Sequence, residues 1–111
     1  MSGEPPVIEQ QVLLGFLTVQ AGEQRSAVWA KRRELMAFAQ ENGYWLGDVY
    51  VHEVGRGPTG ALKALLEAAR HPQVEAVAVV TASDLSESPM VQSAIRGWLE
   101  EASAKVLVVR P

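Results

Sequence analysis

Val12-Leu13-Leu14-Gly15-Phe16-Leu17-Thr18-Val19-Gln20-Ala21-Gly22-Glu23-Gln24 is the stretch on which the fold turns. Its first eight residues are almost continuously apolar. A short run of this kind, closed by a turn signal, marks a strand covered on both faces, as strands of a parallel sheet are. Ala21-Gly22 breaks the run, and from Glu23 to about Asn42 the pattern becomes helical. Val28, Leu35, Phe38 and Ala39 share one stripe, while Lys31, Arg32, Arg33 and Glu41 lie mostly off it. Asn42-Gly43 then supplies the left-handed residue that commonly ends a helix.

The alternation continues outward from that unit. Trp45 to Glu53 is β-rich, weakened at its start by Gly47-Asp48, and Val54-Gly55-Arg56-Gly57-Pro58 reads as a loop. A second helix is expected from Thr59, as N-cap, to Arg70, with Leu62, Leu65, Leu66 and Ala69 facing the core. Val74 to Val80 is another buried-type strand, followed by a polar turn from Thr81 to Ser88. Ser88-Pro89 has the form of an N-cap followed by proline in the first turn. The third helix is expected to run to about Ala104 with Val91, Ile95, Trp98 and Ala102 inward, before a last strand ending at Val109. Strands are therefore placed near 12–19, 45–53, 74–81 and 105–109. This order predicts an α/β fold: an open, mostly parallel four-stranded sheet with helices on both faces and right-handed crossovers. Residues 11–111 read as a single domain and 1–10 as a disordered lead. Polar function in such sheets gathers at the carboxyl ends of the strands, here 20–24, 53–59 and 81–88.

Composition narrows the function classes. The 111 residues carry a net charge of −3, without the basic excess that phosphate neutralisation asks of duplex-DNA binders, so DNA contact is expected to be weak or to run through a partner. The chain has no cysteine, hence no disulfide, thiolate nucleophile or cysteine zinc site. His52 and His71 lack spaced partner ligands, there is no Gly-rich phosphate loop, and no cofactor is implied. No apolar run approaches a membrane span, and Met1 to Pro6 lacks the features of a signal peptide, so a cytoplasmic protein is expected.

The segment from Phe16 to Gln24 resembles the opening of a serine-recombinase (resolvase/invertase) catalytic domain, whose members usually read Y-x-R-V-S-x-x-x-Q. Phe38 to Tyr44 is similar to the family's first helix end and exit turn. Thr59-Gly60-Ala61-Leu62-Lys63-Ala64-Leu65-Leu66 resembles its R-P-G-L-x-x-L-L stretch, and Val79 to Ser88 resembles V-V-x-x-x-D-R-L-S-R. The similarity runs from about Leu13 to Val109 and implies a resolvase-like, flavodoxin-like topology.

The departures fall on the chemistry that the resemblance implies. The family's nucleophilic serine corresponds to Gln20, its first arginine to Thr18, and the arginine before the second helix to Thr59. The trailing glutamine is Gln24, and only the aspartate of the third motif is kept, as Asp84. A carboxamide cannot form a phosphodiester, and Glu23, Glu53, Asp84 and Glu87 are expected near the same sheet edge. The resemblance also implies a long helix after the final strand; a chain stopping at Pro111 is expected to leave apolar surface open and to self-associate through it. These observations predict a domain that is not an enzyme and that acts as a protein-interaction or regulatory module. The alternatives are a DNA-binding or recombination subunit of a larger assembly, and a small-molecule-binding or partner-switching domain.

Several residues also have local explanations. Gln20 and Gln24 could form a remnant polar pocket, but side-chain amides readily satisfy loop backbone. Asp84 could anchor the turn after the third strand or cap a short helical turn, the commoner role. Lys31-Arg32-Arg33 reads as a solvated face. Ser83, Ser86 and Ser88 suit turns and caps. Trp29, off the core stripe, and Trp45, at a strand start, are the interface candidates.

Overall fold

Why the opening run is apolar on both sides is visible in its neighbours. In the computed structural model, which describes residues 11–20, 22, 25–54 and 60–110, Val12–Gln20 forms β1. Alternate residues of a strand point to opposite faces. Leu13 and Leu17 pack with Leu35 and Ala39 of helix α1 (Arg25–Glu41). Leu14 and Phe16 pack on the other face with Leu65 of α2 (Ala61–Ala68) and with Ile95 and Leu99 of α3 (Pro89–Glu101).

The remaining strands are β2 (Trp45–Val54), β3 (Val74–Val79) and β4 (Lys105–Val108). All pairings are parallel and the order is β2-β1-β3-β4. One helix covers one face of the sheet and two cover the other. Ala76, Ala78 and Val80 complete the α1-side core, while Val77 and Val79 complete the opposite one. The expected four-stranded parallel α/β fold is what forms.

Gly15 sets how closely α1 approaches β1. A Cβ at this position would stand 2.8 Å from Leu35 Cδ1 and 3.1 Å from Val49 Cγ2. The β1–β2 register shifts between Leu13 and Gly15, where Gly47-Asp48 adds a residue to β2 and forms a bulge. Helix α1 ends at Gly43, φ 76°, with Tyr44 N–H donating to Ala39 O at 2.8 Å. Ser88 caps α3: its Oγ accepts from Val91 N–H at 3.4 Å, with Pro89 in the first turn. A side-chain ion pair between Glu34 and Arg110 ties α1 to the residue beyond β4.

Three details depart from expectation. The strands β3 and β4 end at Val79 and Val108, earlier than 81 and 109, and α2 opens at Ala61 behind Gly60, whose φ is 72°. The proposed Thr59 cap lies outside the described residues, as do Gln24 and the lead at 1–10. The third departure has more consequence. Trp98 and Val91, expected inward, are 48% and 44% exposed, and Ile95 and Leu99 fill the core instead. Adjacent helical residues are about 100° apart, so Leu99 and Trp98 cannot both face β3, and the smaller, branched side chain occupies the close contact. Among the described residues, no helix is long and apolar enough to cross a membrane.

Candidate functional site

The chain leaves β1 toward β2 on one side and later returns to place β3 on the other. That reversal opens a crevice outside the carboxyl ends of β1 and β3, the position at which open α/β sheets hold ligands. A cleft of about 630 Å³ lies there, inside the range of small-molecule and substrate sites. One wall is apolar, from Leu62, Val91 and Ile95, and the other presents Thr18, Gln20, Lys31, Thr81, Ser83 and Asp84.

Asp84 organises the polar wall. It closes a single 3₁₀ turn, Ala82–Asp84, and is only 4% exposed. One carboxylate oxygen accepts from Thr18 N–H at 3.1 Å, and the other accepts from Thr81 N–H at 3.0 Å. The Thr18 hydroxyl donates back to the Asp84 carbonyl at 2.5 Å. Asp84 thus combines the two roles open to it: it caps the turn by reaching back to Thr81, and it anchors that turn to β1.

Lys31 completes the network. Its Nζ donates to Thr18 O at 3.2 Å and stands 3.7 Å from the Asp84 carboxylate. The expected solvated face therefore holds for its neighbours only. Lys31 follows Val28 by three residues and precedes Leu35 by four, a spacing that puts it on the flank of the core stripe. Its aliphatic stem lies along that flank and delivers the ammonium to the strand ends. This spacing is the signal that sequence reasoning passed over. Lys31→Met keeps the stem and removes the charge; it is expected to cost about 1 kcal/mol, read by urea denaturation.

The site brings Thr18, Gln20 and Asp84 together and leaves Trp29 and Trp45 elsewhere, 60% and 61% exposed. The expected carboxylate wall changes character. Glu23 lies outside the described residues, Glu53 is not part of the lining, and Asp84 spends its oxygens on backbone donors and Lys31. Glu87 remains on the rim. Thr81 Oγ1 and Ser83 Oγ share a hydrogen bond of 2.8 Å, and Ser86 supports the turn, accepting from Ser88 N–H at 3.1 Å. Among the described residues, no group of three or more His, Asp or Glu side chains could hold a metal ion.

An open parallel sheet in this order, with a polar cleft at its switch point, defines a flavodoxin-like α/β domain, and solved structures place it more narrowly. It superposes on the C-terminal catalytic domain of ISC1926 TnpA, an IS607-like serine recombinase, with a TM-score of 0.77 at 18% identity, over 90% of this chain and 69% of that one. The N-terminal catalytic domain of TP901-1 integrase gives 0.73 at 14% identity, over 89% and 77%. The corresponding domain of IS1535 TnpA, another IS607-like serine recombinase, gives 0.68 at 21%, over 90% and 71%. No protein-family model and no curated protein sequence matches the chain. The fold is that of a serine-recombinase catalytic domain.

That finding corrects the expectation that the chain is not an enzyme. The expectation rested on the missing serine at position 20 and the missing arginines. The folds matched over nine-tenths of the chain are catalytic domains of recombinases, and the cleft holds an ammonium and hydroxyl groups at the same strand ends.

Proposed function

We propose that residues 11–111 form one serine-recombinase-type domain that works through protein contacts, as a self-associating interaction or regulatory module. One observation carries this reading: all three tryptophans of the chain, Trp29, Trp45 and Trp98, are 48% to 61% exposed. Tryptophan is highly buried on average in monomeric proteins and is enriched in the centres of interfaces. Met36 and Met90 are exposed as well, at 51% and 82%. Sedimentation velocity over about 1 to 200 µM tests the reading, a span that brackets weak association. A concentration-dependent shift toward a dimer supports it, and a single monomeric species throughout refutes it.

The catalytic-domain folds favour a second reading, a recombination subunit of a larger assembly. Under it, a hydroxyl of the cleft such as Thr81 or Ser83, rather than residue 20, would carry the link to DNA. Incubation with supercoiled plasmid followed by denaturing electrophoresis and peptide mapping tests this: a protein–DNA adduct at residues 81–86 supports it, and none excludes it for the isolated chain.

A further inference from the structure

The basic run of α1 divides in two. Lys31 turns inward to the cleft, where it meets Thr18 and Asp84. Arg32 and Arg33 stay on the outer side, three and four residues after Trp29, and Arg25 lies four residues before it. At about 100° per residue, Arg25, Trp29, Arg32, Arg33, Met36 and Gln40 share one outward arc of about 100°. Trp29 and Met36 are 60% and 51% exposed, and the Arg32 guanidinium lies over the Trp29 ring, 5.8 Å from its centroid. No carboxylate of α1 falls within the arc. Glu34 sits about 100° beyond Arg33 and pairs with Arg110, and Glu41 lies about two turns further along the helix. Among the described residues, no carboxylate stands within ion-pairing distance of Arg25, Arg32 or Arg33. A chain with a net charge of −3 thus gathers positive charge, without counter-charge, around an exposed aromatic ring.

We propose that this arc docks a short acidic segment of another protein, with carboxylates on the three guanidiniums and an apolar side chain against Trp29 and Met36. The inference rests on the domain working through protein contacts and does not require that it self-associate. Guanidinium and carboxylate pair through two parallel hydrogen bonds, which fixes orientation as well as charge. Aromatic residues, Met and Arg are enriched in protein interfaces, and Lys, Glu and Asp are depleted. The arc holds the first group and none of the second. Its extent decides against a nucleic-acid strand. Arg25 to Arg33 spans about 12 Å, and a polyanion running past it would meet Glu41 and the acidic remainder of the chain, where it has no phosphate charge to neutralise. A segment of one or two helical turns ends where the positive charge ends. With few contacts on a convex helix face, the affinity is modest, with a Kd on the order of 100 µM.

Fluorescence anisotropy of a dye-labelled peptide of glutamates around a central Leu-Phe pair tests this. Binding should weaken with added salt, as exposed ion pairs do, and the same peptide with glutamine for glutamate should bind at least about tenfold more weakly. Trp29→Ala should raise Kd about tenfold, the scale of an aromatic anchor. Arg32→Glu combined with Arg33→Glu should abolish binding and create affinity for the lysine version of the peptide. Lys63→Ala, exposed on α2, should change nothing. No saturable binding up to about 1 mM, or binding that Trp29→Ala and the charge reversal both leave intact, overturns the proposal. So does an oligothymidylate strand that binds more tightly than the peptide and depends on Trp29. If the charge reversal instead disperses association between copies in sedimentation, the arc belongs to that contact and the acidic partner is overturned. A wild type that binds the peptide yet stays monomeric upholds the docking site and refutes self-association alone; one that self-associates without binding the peptide does the reverse.

Discussion

Asp84→Ala is expected to lower stability by about 3 kcal/mol, because it leaves two backbone donors without partners at a part-buried site. The carboxylate accepts from Thr18 N–H on β1 and from Thr81 N–H at the start of the 3₁₀ turn, and it is 4% exposed. An alanine satisfies neither donor and frees Lys31 from its acidic partner. For a domain of this size the loss corresponds to a fall in melting temperature of about 15 °C. Asp84→Asn keeps the shape and one acceptor oxygen, so roughly half the loss is expected. Thermal melts followed by circular dichroism decide: an alanine variant melting within about 3 °C of wild type would show that the bridge contributes little.

The second large effect concerns α1 and β1. Leu35 is fully buried, and Leu35→Ala is expected to cost about 3 kcal/mol through lost transfer energy and the cavity left behind. Gly15→Ala is expected to cost about 1 to 3 kcal/mol, since its Cβ would stand 2.8 Å from Leu35 Cδ1 and overpack the contact. The two losses should not add. Removing the leucine side chain makes the room that the new methyl needs, so the double variant is expected to be at least about 1 kcal/mol more stable than the sum implies. Urea denaturation of the four proteins measures the coupling. Additivity within about 0.3 kcal/mol would mean that Gly15 is not the point of closest approach.

How much of this was legible depends on how local the signal is. The β1 run, the Asn42-Gly43 stop and the Ser88-Pro89 start each state their structure within a few residues, and the parallel order follows from their alternation. The orientation of α3 does not. Val91, Ile95, Trp98 and Ala102 make as good a stripe as Ile95, Leu99 and Ala102, and only the shape of the β3–β4 surface selects Leu99 over Trp98. At the site, the resemblance brought Thr18, Gln20 and Asp84 to one sheet edge. It gave no sign that Asp84 would turn its charge inward, because the Thr18 and Thr81 donors reach it across 66 and 3 residues respectively. Lys31 was hidden in a basic run that reads as solvated, although its spacing from Val28 and Leu35 sets it apart from Arg32. Arg32 instead lies over the Trp29 ring, 5.8 Å from its centroid, and stays on the outer surface. The departures that the resemblance implies at Thr18, Gln20 and Thr59 were plain in the sequence, but a few side chains could not speak for the whole of a catalytic-domain fold.

The central proposal is that this recombinase-type fold self-associates, with exposed tryptophan at the contact. Collisional quenching of tryptophan emission by acrylamide, measured as the protein is concentrated from about 1 to 200 µM, tests it most directly. At the dilute end all three side chains should be quenched readily and emit at the long wavelengths of hydrated indole. With rising concentration, one fraction should become protected and shift to shorter wavelength, and replacing in turn each of Trp29, Trp45 and Trp98 by alanine should identify the side chain that carries it. Quenching and emission that do not change with concentration would contradict the claim.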